Sequence, residues 1–198
     1  MSSRNCFLLT CNSQSKRTEF SKSILNNIGF NVNLVNCIPN NNTVLSNKLS
    51  MIYIYELIAN GNDEWCYVFE DDINILEDIK LNEIIEYEKI STIFFYLGLC
   101  VPKEQNRLIN SKKVNNKEVS IINGNVRGLH AIGISKLGAK NLLSFIKKMN
   151  NYLYMDMILE MFSKIYPANC IRYDLESYIK GHRGIFFQDR NKFPSTIL

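Results

Sequence analysis

The sequence predicts an α/β fold in which a mostly parallel central sheet is flanked by helices and extended by a smaller antiparallel addition. Three observations carry this. Strand-like and helical segments alternate over residues 5–100. The run Cys66-Tyr67-Val68-Phe69 is apolar on both alternating faces, as in a strand covered on both sides. The 198 residues suffice for one domain with a substantial core, so a single unit over 1–198 is expected.

Residues 5–11 read as the first strand, and 12–15 as a polar loop leaving its C-terminal edge. Phe20, Ile24, Leu25 and Ile28 recur at helical spacing, which predicts a helix over 16–28 with Gly29 as its stop. A second strand at 32–38 completes a strand, helix, strand unit. Leu49, Ile52, Tyr53, Tyr55 and Ile58 predict a helix ending near Asn60-Gly61, which delivers the chain to the strand holding Cys66. A helix over 79–90 and a buried strand over 92–100 follow.

Residues 101–118 are polar and read as a long loop or flap, with Lys112, Lys113 and Lys117 in a solvated part of it. Residues 119–123 and 128–134 read as the antiparallel strands. A helix over 135–149 has Ser135 as N-cap and Leu137, Leu142, Leu143 and Ile146 on its buried side. Another, over 155–165, carries Asp156 in its first turn. Capping and the helix dipole alone explain an acid there, while its apolar surroundings also admit a functional role. A short strand at 170–173 precedes a tail containing Gly181-His182-Arg183-Gly184; most lone histidines are structural, yet one flanked by glycines in a polar turn is free to reach a metal or phosphate.

The composition is ordinary for a globular protein, at 46% apolar and 21% charged. A net charge of +4 suits an anionic ligand such as a nucleotide diphosphate. Without a dense Lys/Arg run or aromatic residues interleaved with basic ones, it argues against nucleic-acid binding. Six cysteines without CxxC or Cys/His spacing are expected to be buried and reduced. The N-terminal apolar run is too short for a signal peptide, and no stretch approaches the ~20 residues that cross a bilayer. A soluble, cytoplasmic protein is the expectation.

Glu70, Asp71 and Asp72 end the buried strand. Side chains two apart share a face, so Glu70 and Asp72 point one way and Asp71 the other. Two carboxylates roughly 4 Å apart repel by about 1 kcal/mol in water and nearer 4 in a protein-like dielectric, so such a cluster favours a cation. Its oxygen ligands suit Mg²⁺ or Mn²⁺, and ligands of open α/β sheets bind at the carboxyl ends of strands. Taken alone, the three acids are a weak signal and are better read as solvating a strand exit. The following Ile73-Asn74-Ile75-Leu76-Glu77-Asp78 has neither the glycine nor the alternating ligands of a calcium loop.

In order, these pieces resemble glycosyltransferase family 25, the lipooligosaccharide and procollagen galactosyltransferases. The resemblance runs through Leu9 to Arg17, Ser50-Met51-Ile52, Glu70-Asp71-Asp72, Ile134 to Leu143, Asp156, and Gln188 with Ser195. Thr10 and Asn12 stand where the family has Asn and Asp, and Met51 where it has His. The resemblance implies a GT-A type domain using a nucleotide sugar, usually a UDP-sugar, with Mn²⁺ or Mg²⁺. Glu70 and Asp72 would be the ends of a DxD-like motif, and His182 would complete the metal shell. Thr10, Asn12, Arg17, Ser50, Glu70 and Asp71 would meet the nucleotide sugar, and Asp156 would be the base of an inverting transfer to a hydroxyl on a glycan or protein. A catalytically silent nucleotide-sugar- or glycan-binding module is the alternative such a fold allows.

Overall fold

The computed structural model describes residues 3–75, 77–100, 110–114, 117–122, 126–149, 153–171 and 182–193. In chain order these contain β1 (Arg4–Thr10), α1 (Lys16–Ile28), β2 (Phe30–Asn36), α2 (Thr43–Asn60), β3 (Trp65–Glu70), β4 (Ile73–Ile75), α3 (Leu81–Glu88) and β5 (Phe94–Cys100). They continue with β6 (Asn110–Val114), β7 (Lys117–Ile122), β8 (Arg127–Ser135), α4 (Lys136–Ile146), α5 (Met155–Ile165), β9 (Ala168–Ile171), β10 (His182–Gly184) and β11 (Phe186–Gln188).

The fold is α/β. The main sheet has the order β2-β1-β3-β8-β5-β9-β7-β6, with β10 also on β5. β1 pairs in parallel with β2 and β3, and β5 with β9. β8 runs antiparallel between β3 and β5, so those two point the same way. The strand expected at 128–134 is thus antiparallel, but it lies in the middle of the sheet and does not form a hairpin with its sequence neighbour. Its apolar faces (Ile132 and Ile134 on one, Ala131 on the other) are buried in the two core clusters on either side of the sheet.

Alternation on β3 and β5 splits the core in two. Val68, Phe94 and Tyr96 pack with Met51, Ile54, Leu142, Ile158 and Phe162 from α2, α4 and α5. Tyr67, Phe69, Phe95 and Leu97 pack on the other face with Leu25 of α1 and Ile84 of α3. Both faces of β3 and β5 are therefore dry, and roughly 25 cal/mol per Å² of buried apolar surface drives the layering.

Local signals set several ends. The Ser15 side chain caps α1 through Thr18 N, and Gly29 closes it with φ 113°, a left-handed conformation that glycine adopts without a Cβ penalty. Ser135 caps α4 through Gly138 N. Leu137, expected on the buried side of α4, is 56% exposed; the small Gly138 and Ala139 face the core instead. The polar stretch expected as a loop contains a hairpin, with β6 pairing β7 from Val114↔Lys117 outward. β6 is the last strand in the order of the main sheet. Residues 101–109 lie outside the described set.

The cysteines depart from the expected all-thiol state. Cys11 and Cys37, just past the ends of β1 and β2, form a disulfide with Cα atoms 4.8 Å apart. Parallel strands in register bring the two residues side by side, which a spacing of 26 residues does not reveal. Cys6, Cys66, Cys100 and Cys170 are free. No helix among the described residues is long and apolar enough to cross a membrane.

Candidate active site

The C-terminal ends of β3 and β5, the start of β8 and the first turn of α5 converge on a cleft of about 460 Å³. Glu70, Asp156, His182 and Gln188 line it together with Cys100, Arg127 and Arg190. The rim position follows from topology, because β8 runs opposite to β3 and β5 and so begins where they end.

Gln188 is the connector. Its Nε2 donates to Glu70 Oε2 at 2.9 Å and makes longer contacts of 3.4 and 3.5 Å to the two carboxylate oxygens of Asp72. Arg190 Nη2 holds the other end of the amide at 3.2 Å. β11 carries Gln188 and pairs with β4, directly after the acidic triplet, so Gln188 lies opposite Ile73. One polarised N–H group thus stands between two carboxylates. Burial, then Asp72 and Asp156, push the Glu70 carboxyl above its ordinary range, while Asn47 opposes this. Burial also raises Asp72, with Arg17 the strongest opposing influence. With two carboxylates held to one amide nitrogen, these oxygen donors fit a hard divalent ion.

Asp71 turns the other way. It pairs with Arg17 Nε at 2.6 Å and accepts from Thr18 Oγ1 at 3.3 Å, while Arg17 Nη2 reaches Asp72 at 3.4 Å. Thr10 is buried, its hydroxyl 2.6 Å from that of Thr18. Asn12 is exposed and forms a turn through Gln14 N. Ser50 is buried, accepting from Ile38 N and donating to Ser46 O. Thr10, Asn12, Arg17, Ser50, Asp71 and Asp72 do not line the cleft; Arg17, Asp71 and Asp72 form the layer behind Glu70. Ser195 and Gly181 lie outside the described residues.

Asp156 sits one residue inside α5, whose N-cap is Tyr154 without a side-chain bond. Its carboxyl is half-buried on the cleft wall. His182 packs against Cys100, with Nδ1 3.4 Å from the thiol. Sequence reasoning missed Arg127, Arg190, Cys100 and His130. The one available hint was glycine placement: Gly98 and Gly128 both stand against His130.

No protein-family model matches the chain. No curated protein sequence matches it. Among solved structures, the apo form of the glycosyltransferase GlyE of Streptococcus pneumoniae TIGR4 is similar at 9% identity and a TM-score of 0.49, over 85% of this chain and 45% of that one. The chain thus spans less than half the length of GlyE. A Drosophila β1,4-galactosyltransferase 7 in complex with manganese, UDP-Gal and xylobiose is similar at 8% identity and a TM-score of 0.46, over 96% and 73%. These are likenesses of outline.

Proposed function

We propose that residues 1–198 form a single GT-A type domain that transfers a hexose from a nucleotide sugar, a UDP-sugar by preference, to a hydroxyl of a glycan or protein acceptor. The carrying observation is that Glu70, Asp156 and Gln188, from three distant segments, face one cleft at the carboxyl ends of the strands. The family resemblance of the ordered motifs supports the same reading.

Glu70 and Asp72 are the proposed ligands of Mn²⁺ or Mg²⁺, which when bound neutralises charge developing on the leaving diphosphate. Arg127 and Arg190, both exposed at the cleft, supply a positive field for that diphosphate. Asp156 takes the proton of the acceptor hydroxyl as its oxygen bonds to the anomeric carbon and the sugar–phosphate bond breaks. Arg17 holds Asp71 and Asp72 in position from behind. The test is a thermal-shift screen of nucleotide sugars with and without Mn²⁺, followed by measurement of donor hydrolysis. A donor that stabilises only with the ion is expected, and stabilisation by none of them overturns the reading.

A further inference from the structure

Cys100, His130 and His182 come from three separate strands and meet at the C-terminal end of β5. Antiparallel pairing puts His182 of β10 directly opposite Cys100. From β8 comes His130, fully buried, its ring centroid 5.5 Å from that of His182. One ligand atom from each of the three residues lies within 4.8 Å of the others.

The hydrogen bonding of His130 defines its tautomer. Nε2 lies 3.3 Å from the Phe186 carbonyl oxygen, which can only accept, so Nε2 carries the hydrogen. Nδ1 is left with its lone pair, buried and without a hydrogen-bond partner. Buried acceptors in that state are rare. An imidazole that donates one nitrogen to a backbone carbonyl and offers the other is arranged as metal-binding histidines are. Glycines keep the room around it, since a Cβ at Gly128 would stand 2.9 Å from Nδ1 and one at Gly98 would stand 2.7 Å from Nε2. The β5·β8 register also shifts on both sides of Gly98, an irregularity of the kind that re-aims a neighbouring side chain.

We infer that Cys100, His130 and His182 form a binding site for a borderline-soft divalent metal of the zinc class, with a different donor set from the Glu70–Asp72 carboxylates, which lie across the Gln188 amide from it. One sulfur and two imidazole nitrogens suit zinc better than magnesium or manganese, and three protein ligands leave a fourth position for water or a ligand. Cys100 and His182 both line the cleft, so that position opens into it. Tetrahedral ligands around zinc stand roughly 3.5 Å apart, so closing the set takes side-chain movements of about 1 Å. Binding converts the Cys100 thiol to thiolate and releases its proton to solvent, without a redox change. The ion ties β5, β8 and β10 together and commits His182 to the sulfur side of the cleft. The site stands independently of the sugar-transfer reading.

The experiment is titration of Co²⁺, as a spectroscopic substitute for zinc, into the full chain without reductant, so that the Cys11–Cys37 bond stays closed. Tetrahedral d–d bands and a thiolate-to-cobalt charge-transfer band are expected, both abolished by added Zn²⁺. Cys100→Ser should remove the charge-transfer band and His182→Gln should weaken it, each variant checked for folding by circular dichroism. Asp72→Asn should leave the band intact, which separates this site from the carboxylate one. Absence of a thiolate band in the unmodified chain, or a band that survives Cys100→Ser, overturns the proposal.

Discussion

Gln188 Nε2 lies 2.9 Å from Glu70 Oε2, so a residue near the end of the described chain supplies the hydrogen bond that holds the acid at the tip of β3. The same nitrogen reaches toward Asp72 at 3.4 and 3.5 Å, and it stands where a cation shared by the two acids would be most favoured. Gln188→Ala leaves both carboxylates facing each other with fewer donors. Stability without metal should fall by about 1–3 kcal/mol, the usual cost of a buried group losing its partner. Mn²⁺ should restore a larger share of it than in the unmodified protein. Urea unfolding with and without Mn²⁺ measures both quantities, and equal Mn²⁺ responses in the two proteins would refute the prediction.

Asp72→Asn should remove metal-dependent donor binding under the proposed function, because it withdraws one of two anionic oxygen ligands. Isothermal calorimetry with a UDP-sugar and Mn²⁺ is the measurement. Unchanged affinity would exclude Asp72 from the metal shell.

Asp156→Asn should reduce turnover by ~10²- to 10⁴-fold, the range that a positioned general base contributes, with donor affinity nearly unchanged. The substituted side chain stays the same size on the wall of the cleft, so folding should not suffer. Steady-state kinetics alongside donor calorimetry separates the two effects.

Arg17→Met strips the cation from Asp71 and Asp72, which are only 8% and 4% exposed. Breaking a buried pair from one side costs about 3–5 kcal/mol, because the charge left behind has no compensation. Denaturant unfolding should show a loss of that order. A change within experimental error would mean that water reaches the acids.

Burial, and then Glu88, raise the phenol of Tyr67 far above the ordinary tyrosine range, and burial does the same for Tyr96. A group that holds its proton more tightly when folded contributes stability that is complete below the unfolded value and declines as pH rises past it. Thermal stability should therefore be insensitive to these groups up to about pH 10 and fall above it. Tyr67→Phe also removes the 2.7 Å bond to Glu88, so it should cost stability at neutral pH while flattening the alkaline decline. Melting temperatures across that range provide the check.

Much of the fold was legible in the chain because it rests on local signals. Helical spacing and the Ser15 and Gly29 ends fixed α1, an unbroken apolar run marked β3 as a strand covered on both sides, and the apolar surroundings of Asp156 located α5. The acidic triplet itself identified the strand end where the cleft lies. What the sequence could not decide were relations between distant segments. Period-2 alternation says that β8 is buried without saying between which strands. The Cys11–Cys37 bond depends on the register of two parallel strands. The bridge from Gln188 to Glu70 joins residues 118 apart, and His130 becomes a ligand candidate only because β5 and β10 bring Cys100 and His182 beside it. Local propensity acts over a few residues, whereas the position of a side chain across the sheet is set by which strands pair and in what register, a property of the packed chain as a whole.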